Sequence, residues 1–176
     1  MALAIGFAVS AGAAQAADTV VNSITTSQIL TSGKTYSDTF DYKTNGQTVP
    51  GNIFELVISG SSTEITAENL SVGISTYAPA DSTIQMQTLA ISVGSGAKTT
   101  FSGQTFSAKV ETDAYGTNHS QTAALQNEAS TVTIDADSAA ISATSLAKNG
   151  KAVYAVSTGG PGAVTSFTGD SVVIRA

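Results

Sequence analysis

The chain has 176 residues, a net charge of −6 and an isoelectric point near 4.4, and only 11% of its residues are charged. It contains 16 glycines but no cysteine or tryptophan, and serine and threonine together make up more than a quarter of it. This composition disfavours a basic nucleic-acid-binding surface, a disulfide framework and a cysteine-ligated zinc site. Because 41% of the residues are hydrophobic, the chain can bury a core and is not expected to be disordered.

Residues 1–16 have the pattern of a secretory signal peptide. The apolar run from Ala2 to Ala13 is too short to span a bilayer, and Ala14-Gln15-Ala16 matches an A-x-A cleavage pattern. The alternative is a buried alanine-rich helix. No lysine or arginine precedes the run, although signal peptides normally carry positive charge there. We therefore expect an exported protein whose natural start lies upstream of Met1 and whose mature part begins at Ala17.

Residues 17–60 differ from the rest of the chain, and we interpret them as an N-terminal cap segment. Short apolar stretches alternate here with turn signals, of which Thr44-Asn45-Gly46 and Pro50-Gly51 are the strongest. Phe54–Ile58 is predicted to be a β-strand, since it is a short apolar run bounded by turn residues.

A ten-residue pattern then occurs four times, with copies that start at Ile65, Phe101, Ile134 and Phe167. Apolar residues or glycine occupy offsets 0, 2, 5, 7 and 9 of every copy. Offsets 0 and 2 share one side of a strand and the later three share one side of another, so the chain must turn a corner between them. The corner residues are polar types that can bond to the backbone in a bend: Glu68-Asn69, Gln104-Thr105, Asp137-Ser138 and Asp170-Ser171.

The repeat predicts a fold of stacked coils. Its copies start 36, 33 and 33 residues apart, and each unit has room for a third strand, for which Leu89–Val93 and Ala152–Val156 are candidates. Three strands and three turns per unit describe one coil of a solenoid. Residues 61–176 are therefore predicted to form a right-handed parallel β-helix of about four coils. The alternative is a β-sandwich, whose short strands would look similar.

The last residues of the chain, Ser171 to Ala176, read as the start of a coil. Val172 and Ile174 would leave an apolar edge open there, and exposed edges recruit other strands. We therefore expect the repeats to continue beyond residue 176 in a longer protein.

Three segments resemble passenger domains of bacterial autotransporters, the type V secretion family: Gly150–Ala155, Gly159-Gly160 and Val164–Ile174. Such passengers are similar in being rich in serine, threonine and glycine, poor in cysteine, acidic, and built from repeats behind a signal peptide. The resemblance covers residues 61–176. It implies a Gram-negative source, passage through the periplasm, and display at the outer membrane or release by a C-terminal β-barrel translocator. The sequence contains no series of alternating ten-residue barrel strands, so we expect an N-terminal fragment.

No set of residues predicts catalysis, a cofactor or a metal. His119 is the sole histidine and lies near Asp113, but without a G-x-S-x-G motif we interpret it as a loop residue. Asp135 and Asp137 could share an outward face and bind calcium. However, the G-G-x-G-x-D run of calcium-binding repeats is missing, which favours solvated acids.

Other motifs have simple structural interpretations. Gly94-Ser95-Gly96 and Gly159–Gly162 are predicted to be turns and not phosphate-binding loops, because neither opens a helix or carries the lysine of a P-loop. Tyr77, Tyr115 and Tyr154 could form a sugar-stacking surface if they are exposed, although isolated tyrosines at strand ends are the more common case.

Together these features favour a non-enzymatic adhesin-like or structural passenger that binds a host or bacterial surface receptor or glycan. One alternative is a chaperone-usher-type fimbrial subunit, which requires a compact sandwich with a donor-strand edge. Another is a β-helix polysaccharide-degrading enzyme, which requires acids clustered with lysine or arginine on one face. The seven basic residues are scattered along the sequence, which disfavours the enzyme.

Overall fold

The computed structural model describes residues 18–30, 33–41, 52–78, 85–114, 118–146 and 152–176. In these ranges all regular secondary structure is β-strand, and every paired strand is parallel to its neighbour. No helix in the described part of the chain is long and apolar enough to cross a membrane. The strands are β1 (Thr19–Ile24), β2 (Gln28–Leu30), β3 (Lys34–Asp41), β4 (Ile53–Ile58), β5 (Ser62–Ala67), β6 (Asn69–Ala78), β7 (Gln85–Val93), β8 (Lys98–Ala114), β9 (Asn118–Glu128), β10 (Thr131–Ser145), β11 (Val153–Gly159), β12 (Val164–Phe167) and β13 (Ser171–Arg175).

These strands form three faces of a β-solenoid. Face 1 is the sheet β1-β4-β7-β9-β11. Face 2 contains β2, β5, the first parts of β8 and β10, and β12, while face 3 contains β3, β6, the second parts of β8 and β10, and β13. The passage from β1 to β11 takes about four turns of the chain. The predicted parallel solenoid is therefore confirmed, and the sandwich alternative is not observed.

The repeat sets the register between coils, as the sequence predicts. Residues at offset 0 are Cα partners in successive coils, and so are those at offset 5. They form two inward columns, Ile65-Phe101-Ile134-Phe167 and Leu70-Phe106-Ala139-Val172. The rings of Phe101 and Phe106 pack against each other with centroids 5.0 Å apart. Columns of similar size fill the core because each coil presents nearly the same shape to the next.

The predicted corner is confirmed and lies between faces 2 and 3. The N–H groups of Gln104 and Thr105 both donate to the carbonyl oxygen of Glu68, at 2.9 and 3.2 Å. The Thr105 hydroxyl donates to Oδ1 of Asn69 at 2.6 Å. This side-chain bond joins two coils instead of capping one bend, because neighbouring coils lie only about 4.8 Å apart.

Face 1 is irregular at one equivalent position in every coil. The residue there has no Cα partner, although the residues on both sides remain in register. Three of these residues join the hydrophobic core, so the position faces the interior. The column is Val21-Glu55-Ala90-Ala124-Ala155. Glu55 is therefore a carboxyl group directed into the solenoid.

The outer side of face 1 carries a second, smaller apolar cluster. It consists of Phe54, Val57, Leu89 and Ala123, all buried. As a result, every residue of β4 is buried, whichever side of the sheet its side chain faces. Simple alternation of buried and exposed residues, typical of a strand with one solvated face, therefore does not hold for this strand.

The two ends of the solenoid differ in chemistry. Residues 17–60, the predicted cap, contribute β1 to β4, and strands β1 to β3 form the first coil, which places Asn22, Lys34 and Asp38 in register with core residues. The last coil instead leaves Val172 and Ile174 about half exposed.

Buried threonines at the start of face 2 allow us to test how an unpaired hydroxyl affects the stability of the core. Thr99 is fully buried and its hydroxyl has no hydrogen-bonding partner, whereas its neighbour in the next coil is Val132. Thr99→Val is expected to raise the free energy of unfolding by about 1 kcal/mol. The matched control is Thr112→Val, because the buried Thr112 hydroxyl lies 3.3 Å from that of Thr122, and it should lower the free energy by about as much. Urea unfolding measures both, and equal effects would contradict the argument.

Candidate interaction surface

The outer side of face 2 is a regular array that we call the hydroxyl face. Its residues alternate along each strand with the inward columns and stack on one another in four successive coils. Most of them are serine or threonine: Ser62, Glu64, Thr66, Lys98, Thr100, Ser102, Thr131, Thr133, Asp135, Val164, Ser166 and Thr168. Neighbouring hydroxyls are about 4.8 Å apart between coils and about 6.6 Å apart along a strand.

Some side chains of the hydroxyl face bond to one another across coils. The Thr168 hydroxyl donates to Oδ1 of Asp135 at 2.8 Å, and the Ser166 hydroxyl donates to that of Thr133 at 3.3 Å. These bonds order the side chains before any partner arrives. An ordered array loses less conformational entropy on binding than free side chains do.

A groove borders the hydroxyl face at the turn that leads from face 1 to face 2. It has a volume of about 480 Å³ and is open to solvent. Polar side chains and glycine backbone line most of it, and the residues that matter here are Gln126, Glu128, Ser157 and Gly160. Burial raises the pKa of the Glu128 carboxyl. The groove therefore offers hydrogen-bonding groups with a single carboxyl among them.

Asn127 also lines the groove, and its hydrogen bonds fix the shape of the turn. It is completely buried, and its Nδ2 donates to the carbonyl oxygens of Ser130 and Val164 at 3.1 and 2.9 Å and to the Thr165 hydroxyl at 2.9 Å. Its Oδ1 accepts from the N–H of Ser130 at 3.1 Å. One amide thus satisfies polar groups of the fourth and fifth coils together.

The same turn contains an unusual backbone conformation. Ala129 has a φ of 52°, in the left-handed region that non-glycine residues seldom adopt. The Ser130 hydroxyl donates to the carbonyl oxygens of Gly94 and, at 3.0 Å, Glu128. These bonds and those of Asn127 hold Ala129 in place, so the groove is a built feature of the turn and not a gap between mobile side chains.

The two aspartates singled out in the sequence occupy neighbouring but different places. Asp135 lies on the hydroxyl face, while Asp137 lies at the corner and its carbonyl oxygen accepts from the N–H of Asp170 at 3.2 Å. Both side chains are exposed. No group of three or more acidic, histidine or cysteine side chains that could hold a metal occurs among the described residues.

The other described residues considered in the sequence lie on different faces of the solenoid. His119 lies in β9 on face 1, so the chain there is a strand and not the predicted loop, whereas Asp113 lies near the end of β8 on face 3. Tyr77 is on face 3 and Tyr154 on face 1, each partly exposed. Tyr115 and the predicted signal peptide, residues 1–16, lie outside the described residues.

The glycine segments form the turns that the sequence predicts. Gly96, Gly160 and Gly162 have φ angles of 75°, 89° and 77°, which glycine adopts at no steric cost. Sequence reasoning missed Gln126 and Glu128 as groove residues, because they look like the ordinary polar end of a strand and only the stacking of coils brings them beside Ser157. Comparison of the chain with protein-family models, curated proteins and solved structures found no match.

Proposed function

We propose that the chain is part of an exported, non-enzymatic passenger that attaches to a surface glycan through the hydroxyl face and the adjoining groove. One observation carries this proposal: each of four successive coils presents hydroxyl side chains on the same face, beside a groove lined by amide, hydroxyl and carboxyl groups. A polymer with its own repeat could make the same contact several times. Several such contacts together give a higher overall affinity than any one of them alone.

The chemistry of this surface suits a neutral or weakly charged polysaccharide. Hydroxyl and amide groups both donate and accept, as sugar hydroxyls do. Three of its residues are charged, two acidic and one basic (Glu64, Asp135 and Lys98), so the face carries little net charge. The proposal also includes display at the outer membrane or release, and a β-barrel translocator. These parts of it rest on the resemblance to autotransporter passengers.

Adhesion can be tested with substitutions that leave the core untouched. Thr100→Glu and Thr133→Glu together place two charges on neighbouring coils of the hydroxyl face. Binding of the chain to a panel of immobilised polysaccharides should fall at least about tenfold, because each desolvated charge costs more than a lost hydroxyl bond. The control is Ser142→Glu, which adds a charge to the outer side of face 3 beside Lys109.

The outcomes separate clearly. Loss of binding in the double variant but not in Ser142→Glu supports attachment through the hydroxyl face. Equal binding by all the variants would contradict it, as would failure of the unmodified chain to bind any polysaccharide of the panel. Circular dichroism on each variant checks that the solenoid is intact.

A further inference from the structure

Polar and charged residues occupy several inward positions of the first coil, beside Ile24, Leu30 and Phe40, which pack with the core. On face 3, Lys34, Tyr36 and Asp38 occupy positions in register with the buried residues Leu70, Val72 and Ile74. On face 1, Asn22 is in register with the buried Leu56. Four inward columns of the solenoid therefore end, at this coil, in amide, ammonium, phenol and carboxyl groups.

Glu55 adds a second carboxyl to this polar end. It belongs to β4 in the second coil, at the inward position that alanine occupies in the later coils, and its side chain is 0% exposed. The amide nitrogen of Asn22 donates to its Oε1 at 3.0 Å. Its other oxygen, Oε2, is buried without any hydrogen-bonding partner. Leaving a carboxylate oxygen in this state is costly.

Neither protonation state of Glu55 satisfies Oε2 with the side chains around it. An ionised oxygen lacks a donor, and a protonated one lacks an acceptor. Burial raises the pKa of Glu55, the bond from Asn22 lowers it, and the negative charge of Asp38 raises it again. The negative charge of Asp38 thus acts against ionisation of Glu55.

No basic side chain neutralises the two acids within the described residues. The ion pair there joins Lys109 to Glu111 on face 3, and it does not involve either acid. Lys34, the basic residue of the same coil, has its ammonium group 4.9 Å from the ring centre of Tyr36. Neither carboxyl group thus has an ion-pair partner among the described residues, and the Oε2 atom of Glu55 has no hydrogen-bonding partner either.

We propose that Glu55, Asp38 and Asn22 bind a divalent cation between the first two coils, with calcium as the best fit. Calcium takes six to eight oxygen ligands at flexible geometry, from carboxylates, amide carbonyls and water. A cation here gives Oε2 a partner and removes the repulsion between the two carboxylates. Asp38 is exposed, so the ion can reach the site from solvent. This site does not depend on the adhesive function.

The test uses the full chain, stripped with a chelator and then titrated with calcium chloride by calorimetry. We expect a Kd of about 10⁻⁴ to 10⁻³ M, as in sites with few charged ligands, and a Tm that rises with calcium concentration. Glu55→Gln and Asp38→Asn should each weaken binding at least about tenfold, since each removes a charged ligand. Asp135→Asn and Asp137→Asn are the matched controls and should leave the affinity unchanged.

Several results would overturn the proposal. These are the absence of both a titration heat and a calcium-dependent Tm, or an equal loss of affinity in the two control variants. Another is a lower Tm for Lys34→Gln together with no effect of calcium, which would show that Lys34 neutralises the acids instead. If Glu55→Gln does not fold, the exposed Asp38→Asn still decides the question, because its carboxyl lies outside the core.

Discussion

Replacing Gly103 by alanine is expected to cost the solenoid several kcal/mol, in the range of the most damaging single substitutions. A Cβ atom at this position would lie 1.8 Å from the carbonyl oxygen of Ala67 in the preceding coil. That oxygen belongs to the backbone of a paired strand and cannot move without breaking the corner. The reason is close approach of two backbones, which glycine alone permits. Urea unfolding followed by circular dichroism measures the loss.

Gly159→Ala is the control for this substitution. An added Cβ there meets no heavy atom within 4 Å, so the free energy of unfolding should change by less than about 1 kcal/mol. Gly169 offers an independent repeat of the test, since its Cβ would lie 1.9 Å from the carbonyl oxygen of Ala136. If Gly103→Ala were as stable as Gly159→Ala, the described corner would be wrong.

Asn127→Ala is expected to lower the free energy of unfolding by about 3 to 5 kcal/mol. The substitution removes an amide that serves four polar partners and leaves the buried Ser130 N–H unsatisfied, at a cost of about 1 to 3 kcal/mol for each such group. Asn127→Asp keeps the acceptor for Ser130 but loses the donors. It should therefore also be strongly destabilising, and thermal unfolding measures both variants.

Gln121→Ala is the matched control, because the Gln121 amide makes one long bond of 3.4 Å to the Ser157 hydroxyl on the same face. Its loss should cost less than about 1 kcal/mol. An Asn127→Ala variant as stable as Gln121→Ala would show that the buried network contributes nothing. The groove would then have no fixed shape, and glycan binding through it would lose its structural basis.

Much of the fold could be predicted because residues at the same offset of the repeat occupy equivalent positions in successive coils. Ile65, Phe101, Ile134 and Phe167 recur at one offset, and the structure stacks them as partners. The break in alternation after offset 2 predicts the corner, since side chains on two flat faces can both point inward only if the strand bends between them. The glycines at 103 and 169 mark the tightest approach at that corner.

The candidate sites could not be predicted in this way. Gln126 and Ser157 belong to different coils, and Glu55 looks like one polar residue in the apolar strand Phe54–Ile58. Which side it faces depends on the irregularity of face 1, where the register skips one residue in each of several coils. A simple period of two would have placed Glu55 on the same side as Ile53 and Val57 and on the opposite side from Leu56.

The sequence by itself determined the class of fold, the length of a coil, the corner and its columns, because these follow from a local period that each coil repeats. The tertiary structure decided which polar residues meet. Asn22 and Glu55 are separated along the chain, as are Glu128 and Ser157, and only the stacking of one coil on the next brings each pair together. Contacts between coils depend on the number of residues in each coil. Partner residues in neighbouring coils are between 31 and 37 residues apart along the chain.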